Sequence, residues 1–120
     1  MRTIEEALRK ADVWYPKRGD ICWVNLDKRR PAIILSIDQL NKYALDVCVI
    51  PTTSERHEEF PTRVLLDEGE GGLTEKCWAK CDQPTTIEQN RVDSLIGKMP
   101  PEKFDEIQER VKQSLGFSKI

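Results

Sequence analysis

The side chains best placed to do chemistry fall in a few short stretches of the chain. In Lys76–Asp82, an extended backbone would put Cys77, Ala79 and Cys81 on one face and Trp78, Lys80 and Asp82 on the other. The first set is small and apolar, suited to a core. The second sets a cation and a carboxylate about 7 Å apart beside an aromatic ring. That is either an acid/base pair next to a stacking surface or an exposed face with a weak ion pair. Arg30-Pro31 opens a strongly apolar run, so Arg30 is expected at the rim of a rigid element. The densest basic point is Lys28-Arg29-Arg30, which either meets a polyanion or is a solvated turn blunting a strand edge. Ile50-Pro51-Thr52-Thr53-Ser54 leaves a strand with three hydroxyls in a row, and such hydroxyls usually cap turns. His57 lies in a polar stretch and reads as a solvated loop residue, with general-base work as its alternative.

These side chains need elements to hold them. Thr3-Ile4-Glu5-Glu6 fits a capping box and predicts a helix through about Asp12, ended before Pro16. After Gly19-Asp20 the pattern changes to short β-like runs: Ile21–Leu26, Pro31–Ile37, Leu45–Ile50, Thr62–Leu66 and Lys76–Asp82. Turn-like punctuation separates them at Asp27–Arg30, Asp38–Lys42, Thr52–Pro61 and Asp67–Gly72. Thr86-Ile87-Glu88-Gln89 repeats the capping-box pattern and predicts a helical turn, and Leu95–Met99 reads as one more strand. Pro100-Pro101 then opens an amphipathic helix with Phe104, Ile107, Val111 and Leu115 on one face and Gly116 as its C′ residue. The expected fold is mainly β, a small partly closed β-barrel with a C-terminal amphipathic helix and an extra N-terminal helix as an appendage.

Composition narrows the function. With 120 residues, 38% of them hydrophobic and 33% charged, the chain is expected to form one globular domain. A net charge of −2 excludes a histone-like coating of positive charge. The charge is uneven, however: residues 1–42 carry nine basic and six acidic groups, residues 43–90 four and ten, and residues 91–120 six and five. A polyanion could thus meet a locally basic face. No apolar run is long enough to span a bilayer and no secretory h-region is visible, so a cytoplasmic protein without a membrane partner is expected. Cys22 and Cys48 sit in apolar β-like runs. Cys77 and Cys81 would be about 13 Å apart on a strand, too far for a disulfide, and their spacing is not that of a metal site. Structural thiols and no cofactor or metal are the expectation.

Several of these stretches, taken in order, resemble the MazF/PemK/Kid toxin family. Arg18-Gly19-Asp20-Ile21-Cys22-Trp23-Val24 is similar to the family's first strand, and Arg30-Pro31-Ala32-Ile33-Ile34-Leu35-Ser36 to its second. Ile50-Pro51-Thr52-Thr53-Ser54 resembles the exit of its third strand. Lys80-Cys81-Asp82-Gln83-Pro84-Thr85-Thr86-Ile87 resembles the Kid/PemK form of its Asp-Gln segment, and Ile96-Gly97-Lys98 and Val111–Phe117 fit its ending. The resemblance runs from about Lys17 to Phe117. It implies residues 17–120 as a toxin domain with an SH3-like or CcdB-like barrel, residues 1–16 being an extension without counterpart. It also implies a homodimer that cuts single-stranded RNA without metal and is covered by a cognate antitoxin, with operator DNA reached only through that antitoxin. The family's essential residues fall on Arg30 and Thr53, and its acid/base pair on Lys80 and Asp82. Lys28, Arg29, Ser54, Trp78 and Gln83 are the expected RNA contacts, Trp78 by stacking on a base.

The chain departs from the pattern in places that bear on rate. The loop between the first two strands is only Asp27-Lys28-Arg29, and the histidine that Kid-like members carry there is missing. Lys80 stands in place of an arginine, and Thr85 where many members have another. Two readings therefore compete with the nuclease: a degenerate member that binds nucleic acid or antitoxin without cutting, and a gyrase poison like CcdB. The C-terminal sequence Gln113–Ile120 lacks the aromatic pattern associated with the latter.

Overall fold

The computed structural model describes residues 13–55 and 61–120, and the helix expected up to Asp12, like His57, lies outside the described residues. Seven strands and two helices form among them: β1 (Asp20–Asn25), β2 (Arg29–Ile34), α1 (Asp38–Tyr43), β3 (Asp46–Thr53), β4 (Arg63–Leu66), β5 (Cys77–Lys80), β6 (Thr85–Glu88), β7 (Val92–Lys98) and α2 (Pro101–Ser114). Every pairing is antiparallel, in the order β4-β5-β3-β2-β1-β7, and β6 pairs with β3 as well. The chain is mainly β, as its β-branched runs predict. The sheet curls into a barrel-like shape but is not closed by a β6–β7 ladder; a turn of 3-10 helix, Gln89–Arg91, joins those two strands.

Alternation along the strands sorts the apolar side chains into two cores. Ile21, Ile33 and Ile50 point to one face of the sheet, where Leu66, Cys77, Ala79 and Cys81 join them under Ile107 and Val111 of α2. Cys22, Val24, Ala32, Ile34, Val47 and Val49 point to the other face, where Ile87 of β6 packs with them. The helix α2 starts with Pro101 at its first position and ends in a Schellman motif. There Gly116 has φ +85°, its N–H bonds the Gln113 carbonyl and the Phe117 N–H bonds that of Lys112. The thiols expected to be structural are all free, and burial pushes those of Cys22 and Cys81 up to about 12. Such thiols stay protonated and are not nucleophiles.

Two local expectations are corrected. Asp38–Tyr43 is a helix and not a turn. Its buried Asn41 bonds back to Ser36, donating from Nδ2 to the Ser36 carbonyl at 2.9 Å and accepting from Ser36 Oγ at 2.5 Å. Thr85–Glu88 is a strand and not a helical turn: the β-branched Thr86 and Ile87 pair with Cys48 and Val47 of β3, and that ladder outweighs the capping-box pattern.

β5 and β6 follow one another along the same edge of β3. β5 lies against Thr52 and Thr53, and β6 against Asp46–Val49. The turn Cys81–Pro84 between them therefore interrupts what would otherwise be one long strand, and it projects Asp82 at the break. The 3-10 turn Glu70–Gly72 packs on β7 so closely that a Cβ at Gly97 would lie 2.1 Å from the Gly71 carbonyl oxygen. Only glycine fits at position 97. That contact fixes the start of the segment Leu73–Lys76, which runs back towards the β1–β2 hairpin.

Candidate active site

Arg30 is the second residue of β2, and the three-residue connection Leu26–Lys28 holds the hairpin end tight, with Leu26 N–H donating to the Lys28 carbonyl. Its side chain is 19% exposed, and each guanidinium nitrogen has a partner. Nε and Nη2 donate to the two carboxylate oxygens of Asp27 at 3.0 and 2.7 Å, and Nη1 donates to the Thr52 carbonyl at 3.0 Å. Arg30 thus sits against the C-terminal end of β3 with its fork closed on a carboxylate. Those hydrogen bonds from Arg30, and then the backbone N–H of Lys28, hold the Asp27 carboxyl below its ordinary value. Asp27 itself is 70% exposed, so another anion can take its place.

Thr53 is buried and its Oγ1 accepts from the Glu55 N–H at 3.1 Å, so the hydroxyl does cap a turn. Accepting there leaves its O–H as a donor. Thr52 points to the other face and donates to the Pro31 carbonyl at 2.7 Å. Ser54 is exposed beyond them. Beside this strand end opens a groove of about 520 Å³, lined by Lys28, Arg29, Arg30 and Ser54, by Trp23 of β1, and by the segment Leu73–Lys76.

The Lys80–Asp82 pair is arranged differently from its expected form. β5 ends at Lys80, and Asp82 lies in the following turn, closed by the Gln83 N–H on the Lys80 carbonyl at 3.0 Å. The exposed Gln83 uses its own carbonyl for the Thr85 hydroxyl. Arg63 of β4 pairs in register with Lys80 and donates from Nη1 to Asp82 Oδ1 at 2.5 Å, with only 12% of its side chain exposed. Asp82 therefore has a guanidinium partner that comes from across the sheet and not from its own strand. Arg63 was not a candidate from sequence, because its signal lies in cross-strand pairing and not in spacing along the chain.

Trp78 is also corrected. It points away from Cys77 and Ala79, as alternation predicts, but that face is covered. Trp78 is 6% exposed, paired with Thr53 on one side and Leu65 on the other. A ring so enclosed presents no face to a base. The aromatic at the groove is Trp23, half-buried, with the Arg29 guanidinium 4.3 Å from its ring centroid.

The structure thus lines one groove with Lys28, Arg29, Arg30 and Ser54, and Thr53 follows the Thr52 carbonyl that Arg30 binds. Lys80, Asp82 and Arg63 form a second cluster two strands away, about 10 Å across the sheet from β2. Arg30 and Thr53 share the alternation of Trp78 and Lys80, so the two clusters lie on the same side of this sheet end.

Comparison with known proteins relates the chain to a family. Residues 17–115 match the family described as PemK-like, MazF-like toxin of type II toxin–antitoxin system. The endoribonuclease MazF9 of Mycobacterium tuberculosis is 30% identical over 112 residues, covering 82% of this chain and 95% of that protein. Among solved structures, the Mycobacterium tuberculosis toxin MazF-mt6 superposes with a TM-score of 0.74 at 25% identity, covering 81% of this chain and 96% of the other. An endoribonuclease in complex with its cognate antitoxin, from a mycobacterial species, shares the fold at TM-score 0.75 and 23% identity, covering 88% and 99% of the two chains.

Proposed function

The chain belongs to the PemK-like, MazF-like toxins of type II toxin–antitoxin systems, and from that premise we propose that it is an endoribonuclease whose own side chains cleave single-stranded RNA. The observation that carries this reading is Arg30: an arginine fork, anchored on the Thr52 carbonyl, that already holds an anionic group between Nε and Nη2. A phosphodiester offers the same pair of oxygens that the Asp27 carboxylate offers.

The reaction follows from the groups around it. The 2′-hydroxyl of a ribose loses its proton to a base and attacks the adjacent phosphorus. Negative charge gathers on the pentavalent phosphorane, and the 5′-oxygen leaves with a proton from an acid, giving a 2′,3′-cyclic phosphate and a 5′-hydroxyl. Arg30 takes the phosphorane charge by its fork, and the Thr53 hydroxyl donates a further hydrogen bond. Asp82, turned outward and oriented by Arg63, is the base, and the half-buried Lys80 is the acid. Lys28, Arg29, Ser54 and Gln83 hold the flanking strand. Trp78 has no part in base stacking. Residues 17–120 make up the toxin domain in this reading, and residues 1–16 are an extension. A cognate antitoxin, a class of partner that the mycobacterial endoribonuclease also has, covers the groove in this reading, and the toxin works in the cytoplasm as a homodimer that meets operator DNA only through the antitoxin.

The test is incubation of a long unstructured RNA with purified protein in EDTA. Discrete fragments ending in 2′,3′-cyclic phosphate are expected. Intact RNA at high protein concentration with binding retained would replace this reading with that of a non-cleaving binder.

Asp27 makes a separate prediction. Because it occupies the fork that phosphate needs, Asp27→Ala should raise affinity for single-stranded RNA roughly two- to fivefold, the scale of losing one exposed competing ion pair. Fluorescence anisotropy with a labelled oligonucleotide measures it; unchanged or weaker binding would show that Asp27 supports the site and does not compete for it.

A further inference from the structure

Arg29 and Arg30 are neighbours on β2, so their side chains leave opposite faces of the sheet. Arg30 turns towards Asp27 and the end of β3, where the proposed mechanism places the phosphate. Arg29 turns onto Trp23, its cross-strand diagonal neighbour on β1, and is fixed there by donating from Nε to Asp93 Oδ2 of β7 at 2.9 Å. Trp23 is therefore a preorganised aromatic surface, with its guanidinium cover held in place before any ligand arrives.

The groove beneath these residues is of mixed character. Trp23, Pro31, Leu73 and Ile96 give it apolar walls, and the exposed Glu75 stands at its rim. Lys28, Arg29, Arg30 and Lys76 line it too, so the phosphates of a strand have cations to meet, while the apolar walls, which offer a phosphate no donor, suit a planar, uncharged ring with polar edges. The volume, about 520 Å³, is that of a small-molecule cleft. Arg30 stands at its mouth, so a nucleotide whose phosphate sits on Arg30 has its base within reach of the groove.

We propose that this groove seats one unpaired nucleobase, adjacent to the phosphate held by Arg30 and stacked against the Trp23–Arg29 pair. The proposal rests on the ribonuclease reading and adds to it the residue that grips a base. Stacking on an aromatic ring accepts any base, because every base has a π-face. Trp23 accordingly supplies affinity and register, while the edge groups of the groove discriminate among bases.

The experiment uses a labelled 2′-O-methyl oligonucleotide spanning a mapped cleavage site, together with versions carrying one abasic residue at each position in turn. With the natural chain, one abasic position near the cleavage site should weaken binding roughly 5- to 100-fold, the size of one lost base–aromatic stack. Trp23→Leu should show that loss on the complete oligonucleotide and be indifferent to the same abasic position. Trp23→Phe should keep most of the affinity, and it preserves a ring if the leucine variant fails to fold. The proposal is overturned if both variants bind as the natural chain does, or if the abasic penalty is the same in Trp23→Leu. Failure of the underlying reading looks different: the natural chain then leaves a long unstructured RNA intact in EDTA, so that no cleavage site can be mapped, whatever it binds.

Discussion

Replacing Arg30 with alanine is expected to lower the single-turnover rate of RNA cleavage by roughly 10²–10³-fold, the usual consequence of removing a preorganised donor from a developing oxyanion. Binding of the intact strand should fall much less. In the proposed mechanism the ground-state phosphodiester carries one negative charge and is also met by Lys28 and Arg29, whereas the phosphorane gathers more charge at the point where Arg30 presents its fork. Geometry makes this a strong expectation. The side chain is 19% exposed and tied to the Thr52 carbonyl, so once Asp27 gives way it offers Nε and Nη2 in a fixed orientation, with little side-chain ordering left to do. Arg30→Lys separates charge from shape. A lysine ammonium keeps the positive charge but cannot hold two oxygens in parallel, so it should recover only a small part of the lost rate. Because Arg30 also anchors the end of β3, thermal unfolding of each variant must accompany the rate. A variant that melts as the natural chain does and still cleaves within about threefold of its rate would remove Arg30 from the chemistry.

The same arginine shows what could be read along the chain. Arg30 precedes Pro31 and a run of aliphatic residues, and that local pattern alone places it at the rim of a strand, where it is found. The terminal helix was equally legible, since Pro101, the apolar spacing and Gly116 all speak within one segment. Other features depend on partners distant in sequence. The brief polar run Asp38–Tyr43 becomes a helix because its Asn41 is buried against Ser36, a contact that no periodicity announces. Thr85–Glu88 is a strand because β3 offers it an edge. Period two correctly divided Trp78 from Cys77 and Ala79. It could not tell that both faces of β5 are covered, and so it assigned to Trp78 a surface that Trp23 supplies. Arg63 was out of reach for the same reason. Its place beside Asp82 is a consequence of the β4–β5 register, Arg63 opposite Lys80.

That register makes the second cluster testable as two separate roles. Asp82→Asn should lower cleavage roughly 10²–10⁴-fold if Asp82 takes the 2′-hydroxyl proton, the range for losing a positioned general base. Asparagine is the right substitution. It keeps an oxygen for Arg63, whose side chain is only 12% exposed and would otherwise be left a nearly buried, unpaired cation. Lys80→Met should also slow cleavage, but through the other proton. If Lys80 protonates the departing 5′-oxygen, a substrate with sulfur at that bridging position, whose thiolate leaves without protonation, should restore most of the rate in Lys80→Met and almost none in Asp82→Asn. The base is needed at the 2′-hydroxyl whichever atom departs. Rescue of both variants by the sulfur substrate would make Asp82 part of the acid function. Rescue of neither would leave Lys80 as a phosphate contact and move the leaving-group proton elsewhere. In either case Arg63 links the two. It faces Lys80 across the ladder and holds the Asp82 carboxylate at 2.5 Å, so it sets the direction from which Asp82 can approach a ribose.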